Sequence, residues 1–289
     1  MKVLVTGCSG QVGVELMRQG EGNHEMIGMT RTALDITDAA RVKATIVNEK
    51  PDIIVNAAAY TAVDRAETDS DRCFTVNRDG PKYLAQASLL ADIPLIHIST
   101  DYVFDGSKPG AYVETDSVSP SGVYGRSKAE GEECVRFSCE KHIILRTSWV
   151  FSSHGNNFVK TMLRLGVERE ELGVVADQHG CPTSAADIAA VILQLCECHA
   201  QQWGTYHFCQ PEPTTWHGFA KAIFAEAERQ GLPLKIRNVA AIGTADYPTA
   251  AKRPANSVLA CGKLKTAFGV VIRPWQASLN EVVRELCCA

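Results

Sequence analysis

The chain of 289 residues has no apolar run long enough to span a membrane, no basic cluster and no stripe of aromatics set among basic residues. These absences leave little support for a membrane protein or a nucleic-acid surface, and a net charge of -4 with a pI of about 6.1 agrees with that. There is no C-x-x-C pair. The eleven cysteines are odd in number, and Cys73, Cys134 and Cys196 fall inside helical patterns. Buried thiols in a reducing compartment are therefore expected, rather than disulfides or zinc. Cys287-Cys288 lacks the C-a-a-X arrangement of a lipidation signal. The apolar start, Val3-Leu4-Val5, is too short for a secretory leader before the glycines at 7 to 13 interrupt it. Internal repeats, low-complexity tracts and flexible linkers are absent too. What is left is a cytoplasmic chain whose 45% hydrophobic content can fill one large domain, or one domain with a smaller lobe.

What is present is an alternation of buried-type strands and helices. Val3-Leu4-Val5 runs into Thr6-Gly7-Cys8-Ser9-Gly10-Gln11-Val12-Gly13, and the helical pattern Val12, Leu16, Met17 follows. A strand, glycine turn and helix in that order let the backbone approach a pyrophosphate at a helix N-terminus, although G-x-x-G-x-x-G is not the usual G-x-G-x-x-G. Glu25 to Met29 reads as a second strand. Past it stands Arg31, either a partner for a ribose 2′-phosphate or an ordinary loop charge, and then Asp35-Ile36, which could border an adenine pocket. A helix over Thr37 to Lys50 leads to a third strand, Ile53 to Asn56. The small residues Ala57-Ala58-Ala59, with Thr61 and Val63 close behind, leave room for a ligand against the backbone. One helical region, roughly Asp64 to Leu90, carries Asn77 and Gly80. The fourth strand, Leu95 to Ser99, contains His97, read as a satisfied core histidine without a role, and ends at Thr100-Asp101-Tyr102, where an open α/β sheet has its ligand crevice. A turn-rich loop from Asp105 to Pro120 is expected to cover the site. His142 to Arg146 forms a fifth strand. No two strands are joined by a hairpin turn, so a doubly wound parallel α/β sheet over residues 1–150 is predicted.

Residues 151–289 read mainly as a smaller α/β substrate-binding lobe, with some segments packing back on the first half. Its expected pieces are helices Phe158–Leu165, Ala186–Cys198, Trp216–Gln230 (capped by Thr215) and Trp275–Leu286, with extended stretches Leu172–Val175 and Thr205–Phe208.

The most chemically suggestive stretch is Tyr124-Gly125-Arg126-Ser127-Lys128, at the start of a helix. A spacing of four puts phenol and ammonium on one face, which predicts a phenol with a lowered pKa, suited to protonating the alkoxide made when a carbonyl is reduced.

Gly7, Gly10, Gly13, Asn77, Thr100, Tyr124 and Lys128 together resemble the extended short-chain dehydrogenase/reductase superfamily. The resemblance implies a Rossmann-like fold, with Thr100 bonding the substrate carbonyl, Tyr124 as general acid and Lys128 lowering its pKa and binding the nicotinamide ribose. It also implies that Asn77 organises a proton-relay water. A narrower likeness runs through Asn56 to Asp64, Ser99 to Phe104, Arg146 to Val150, Asn156-Asn157-Phe158 and Arg253 to Ser257, which are similar to the dTDP-4-dehydrorhamnose reductases. That family reduces the C4 ketone of a dTDP-6-deoxy-hexulose, giving dTDP-L-rhamnose.

The implied cofactor is NADPH, with NADH possible. Its implied contacts are Gly7, Ser9, Gly10, Gln11, Val12, Gly13, Arg31, Asp35, Ile36, Ala57, Ala58, Ala59, Thr61, Tyr124 and Lys128. Implied substrate contacts are Val63, Thr100, Asp101, Tyr102, Trp149, Gln178, Arg253 and Asn256. Some relatives hold magnesium through glutamates at a homodimer interface. Glu15 matches one of those, but Ala185-Ala186-Asp187 offers no second glutamate, which counts against both the ion and that dimer; no metal ligands are assigned. Two other activities fit the same resemblance: a dinucleotide-binding regulatory subunit like that of methionine adenosyltransferase, and a ketoreductase or epimerase of another nucleotide sugar.

Overall fold

A computed structural model describes residues 1–197 and 202–288. Strands β1 (Lys2–Thr6), β2 (Glu25–Met29), β3 (Ile53–Asn56), β4 (Leu95–Thr100) and β5 (His142–Thr147) pair in parallel, and the strand Gly204–His207 joins them beyond β5. The spatial order is Gly204–His207, β5, β4, β3, β1, β2, so winding reverses between β1 and β3. At such a switch point the strand carboxyl ends diverge and leave a crevice.

Alternate residues of β1 face opposite sides, as a strand requires. Val3 and Val5 meet Leu16 of α1 (Gln11–Gly20) and Ile188 and Ile192 of α8 (Ala185–Glu197), while Leu4 joins Ile54 against Val42 and Ile46 of α2 (Ala39–Glu49) and Leu84 of α5 (Gly80–Ala91). Helices on both faces explain why β3 is buried along its full length. Strand Gly204–His207 and α8 thus complete the sheet's layers from the second half of the chain. Cys198, where the sequence reading ends that helix, lies outside the described residues.

The region read as one helix from Asp64 to Leu90 is four pieces: α3 (Val63–Ala66), α4 (Ser70–Phe74), a π-helical turn at Thr75–Asp79, and α5. Pro81 in the first turn of α5 gives a local reason for the change of winding, since proline lacks the N–H that would otherwise bond one turn back. Helix α6 (Val123–Ser138) carries Tyr124 and Lys128.

The remaining core joins α7 (Phe158–Glu168), α9 (Trp216–Arg229) and α10 (Trp275–Cys288) through Met162, Leu163, Phe219, Ile223, Leu279 and Val283. Asn157 and Thr215 cap α7 and α9 by accepting from the Lys160 and Gly218 amides. Strands Glu171–Val175 and Asn238–Ile242 pair in parallel beside them. Among the described residues no helix is long and apolar enough to cross a membrane.

Candidate active site

At the crevice, Gly7 has φ +70°, and a Cβ there would stand 2.6 Å from the Ala58 nitrogen. Only glycine meets both demands, the left-handed backbone and the close approach of the β1 and β3 ends. The loop delivers Gly10 as the N-cap of α1. Gly7, Ser9, Gly10, Arg31, Asp35, Ile36, Ala57, Ala58 and Ala59 line a cavity of about 250 Å³. Gly13 lies beneath it, where a Cβ would come within 2.2 Å of the Gly7 carbonyl. The Arg31 guanidinium is largely exposed and stands 3.8 Å from Asp35, whose carboxyl is held below its usual range chiefly by the Thr37 amide.

A second cavity of about 630 Å³ shares Gly10, Ala57 and Ala59 with the first. Gln11, Val12, Thr61, Val63, Thr100, Asp101, Tyr102, Tyr124, Lys128 and Trp149 are in its wall. Its size suits a small-molecule ligand. Gln11 also ties the halves together, since its Oε1 accepts from Ser152 Oγ at 3.0 Å and Asn157 Nδ2 at 2.8 Å.

Helix α6 approaches the end of β4 closely. A Cβ on Gly125 would collide with the Tyr102 carbonyl, so glycine at the third helical position lets Tyr124 stand over Thr100. Tyr124 packs edge-on to Tyr102, ring centroids 5.6 Å apart. Burial pushes the Tyr124 phenol well up, against a hydrogen bond with Thr100 that pulls it down. The lowered phenol expected from the Tyr124–Lys128 spacing is therefore not found. The Lys128 ammonium is turned elsewhere: Nζ donates to the Ile98 carbonyl at 2.7 Å and stands 3.3 Å from His97 Nε2.

Below this face, Glu132 and Arg146 form a buried pair, with Nη2 2.6 Å from Oε2 and Nε 2.8 Å from Oε1. Ser99 also donates to Glu132 Oε1 at 2.6 Å. The pair clamps α6 to β4 and β5, and removing one member would leave a buried charge unpaired.

Asp101 is buried beside the cavity. Its Oδ1 accepts the Thr100 hydroxyl at 2.9 Å, while Oδ2 has no hydrogen-bond partner. Burial pushes this carboxyl up to about 6, against the pull of the Ser257 and Thr100 hydroxyls. The hydroxyl of Thr147 is a second buried polar group without a partner on the same wall. Such orphans cost free energy unless a ligand or water satisfies them.

Five predicted residues line neither cavity: Gly13, and four whose side chains bond elsewhere. Asn77, in the π-helical turn, clamps the Tyr60 backbone, accepting from its N–H at 2.8 Å and donating to its carbonyl at 3.0 Å, and it also donates to Ser127. Its amide is spent on positioning the Tyr60 loop and α6. Asn256 donates to the Lys108 and Gly110 carbonyls, Gln178 to Thr244, and Arg253 to Asp64 at 2.9 Å. Each side chain closes a loop contact instead.

Sequence reasoning missed Trp216, which stacks on Trp149 with centroids 3.5 Å apart and planes 6° from parallel, and Phe158, tilted against Trp216. Both line the larger cavity. Trp149 itself has φ +47°, a conformation rare outside glycine that turns its indole toward Trp216. Ser148 and Thr147 were within reach of the reading, being part of Arg146-Thr147-Ser148-Trp149; nothing local marked Trp216. His97, read as a satisfied core residue, is fully buried, but one of its contacts is Lys128.

The glycine cradle, the small residues opposite it and the helix N-terminus fit a dinucleotide. Among the described residues no group of three or more His, Cys, Asp or Glu could hold a metal ion. Glu15 is engaged by Arg18 at 2.6 Å, and Asp187 by Arg273 and Ser278.

The family model described as RmlD substrate binding domain matches residues 1–288. A dTDP-4-dehydrorhamnose reductase of Aggregatibacter actinomycetemcomitans is 47% identical over 287 residues, covering 97% of this chain and 98% of that protein. The crystal structure of a dTDP-4-dehydrorhamnose reductase from Clostridium acetobutylicum superposes with a TM-score of 0.94 at 39% identity, over 99% of this chain and 100% of that one. The enzyme of the same name from Bacillus anthracis, solved in complex with NADP, gives 0.92 at 38% identity with the same coverage. With its parallel Rossmann-like sheet, its glycine cradle and a match that runs nearly end to end, this chain belongs to the RmlD family of dTDP-4-dehydrorhamnose reductases.

Proposed function

We propose that this protein is an NADPH-dependent oxidoreductase that reduces the C4 ketone of dTDP-4-dehydro-6-deoxy-L-mannose to give dTDP-L-rhamnose. The observation that carries the reading is Thr100, Tyr124 and Lys128 on the wall of one cavity that adjoins the glycine cradle, in a chain of this family. The dinucleotide, held by Gly7 to Gly13, Ala57 to Ala59 and the Arg31–Ile36 segment, supplies the hydride. Thr100 and Tyr124 hold the ketone oxygen, and Tyr124 gives it a proton as charge develops. Burial helps by keeping the phenol protonated at neutral pH, the form a donor needs. The cost is a poorly solvated tyrosinate afterward, and a charged Lys128 one helical turn away offsets it. Asp101, Tyr102, Val63 and Trp149 from the first half, with Trp216 from a lobe made mainly from residues 151–289, bind the nucleotide sugar. NADPH is preferred over NADH because Arg31 meets the 2′-phosphate.

The test is direct. Purified protein, NADPH and dTDP-4-keto-6-deoxy-L-lyxo-hexose are mixed and the nicotinamide absorbance followed. Loss of absorbance with formation of dTDP-L-rhamnose is expected. Tight NADPH binding without turnover would reject the reductase and favour a regulatory dinucleotide-binding subunit; turnover only of other nucleotide sugars would reject the substrate.

A further inference from the structure

Lys128 ends a buried chain of hydrogen bonds whose direction can be read from its first link. The Ala58 backbone N–H donates to Asn56 Oδ1 at 3.1 Å, and the Thr6 hydroxyl donates to the same oxygen at 2.7 Å. A backbone N–H can only donate, so the Asn56 amide cannot be turned round. Its NH₂ therefore faces His97 Nδ1, 2.9 Å away, and Nδ1 must accept. His97 is fully buried and held neutral, its pKa driven far down first by burial and then by Lys128, with His142 of β5 and Arg136 of α6 acting the same way. A neutral imidazole carries one proton, which the first link places on Nε2. Nε2 lies 3.3 Å from Lys128 Nζ, and the same Nζ donates to the Ile98 carbonyl. An ammonium has three donors and no acceptor, so it would meet the His97 N–H donor to donor. An amine has a lone pair for His97 and a hydrogen for Ile98.

We propose that His97 is a positioning residue that sets the charge of Lys128, by presenting to Nζ an N–H that only the neutral amine can accept. Geometry and burial act in the same direction. Desolvation pushes Lys128 down to about 8, while Glu132 on its own helix and Cys73 from α4 pull it up. Glu132 is already engaged by Arg146 of β5, by Arg136 and by Ser99, which weakens its hold on the lysine. The positive charge that stabilises a tyrosinate is then held more weakly than on an ordinary lysine, and breaking the His97 contact to Nζ strengthens it. This deepens the reading of Lys128 as the partner of Tyr124, but it concerns the ligand-free protein and is tested without turnover.

The experiment is ¹⁵N NMR of the ligand-free, labelled protein across a range of about pH 5 to 10, following the His97 ring nitrogens and Lys128 Nζ. His97 is expected to keep its proton on Nε2 throughout, with Nδ1 bare, and Lys128 to titrate near 8 rather than at its ordinary 10.5. His97→Gln, whose carboxamide oxygen can turn to the ammonium, should raise the Lys128 midpoint by about one unit or more, a tenfold change in proton affinity. A proton on His97 Nδ1, a wild-type Lys128 that titrates at its ordinary value, or an unmoved midpoint in folded His97→Gln would each overturn the proposal. The wild-type measurement decides even where the variant does not fold.

Discussion

The two cavities meet at Gly10, Ala57 and Ala59 but are made in different ways. The smaller one is built mostly from short stretches at strand ends, Gly7 to Gly10, Arg31 to Ile36 and Ala57 to Tyr60, with Arg72 and Val76 added. The larger one gathers side chains from strand ends, α6, the turn at Trp149 and α9, segments far apart in the chain. A pocket made of local turns is legible as a motif, because the strand, turn and helix that shape it are consecutive. A pocket made of side chains converging from distant segments exists only once the core has formed.

That contrast can be broken by experiment. The largest expected effect is at the junction. Tyr124→Phe removes the proposed proton donor and little else, so turnover should fall by about 10²- to 10⁴-fold while NADPH affinity stays as in wild type. Retention of more than about a third of wild-type turnover, with chemistry shown to be rate-limiting, would remove Tyr124 from that role.

Next comes the edge of the smaller cavity. A charge-assisted hydrogen bond is worth about 1.5–3 kcal/mol, so Arg31→Ala should weaken NADPH by roughly 10- to 100-fold and leave NADH almost unchanged. Equal losses for the two cofactors in a binding titration would mean that Arg31 only supports its loop.

Trp216→Ala addresses the opposite side. It removes one face of the stack with Trp149, an aromatic contact of about 0.5–1.5 kcal/mol beyond area burial. KM for the nucleotide sugar should rise by about tenfold with the NADPH dissociation constant unmoved. If both affinities changed together, the two cavities would not be separable in function.

The last effect is on stability. Asp101 has a folded-state pKa of about 6 against an ordinary 3.8, so between those values the folded protein binds more protons than the unfolded chain. Stability contributed by this group falls as pH rises through that window, and the full cost is present above about 6. Asp101→Asn should therefore raise stability by about 1–3 kcal/mol at neutral pH and have little effect below the ordinary carboxylate value. Denaturant melts at the two pH values would show it; an equal effect at both would mean that charge is not the cause.

Much of the fold was readable in advance for a definite reason. β3 runs from Ile53 to Asn56, as expected, because a buried parallel strand is a short apolar run between strong punctuation, and the edge strand β2 runs from Glu25 to Met29 as read. Thr215 caps α9 as its side-chain chemistry suggests. The helical stretch after Asp64 was less legible. Its π-helical turn carries Asn77, which clamps Tyr60 seventeen residues away, and periodicity does not register such a bond.

The amino-acid sequence by itself determined the alternation of strands and helices, the glycine turn after β1 and the Tyr124–Lys128 spacing, since each rests on neighbours within a few residues. Tertiary structure alone decided what those groups feel. Burial raised the Tyr124 phenol that the spacing predicted to be lowered, and the packing of β4 against α6 placed His97 opposite Lys128. Convergence of two distant segments laid Trp216 on Trp149, and loop closure drew Asn256 and Arg253 away from the cavity wall. Desolvation and long-range contact depend on what surrounds a side chain in space, and a linear pattern holds only its neighbours along the chain.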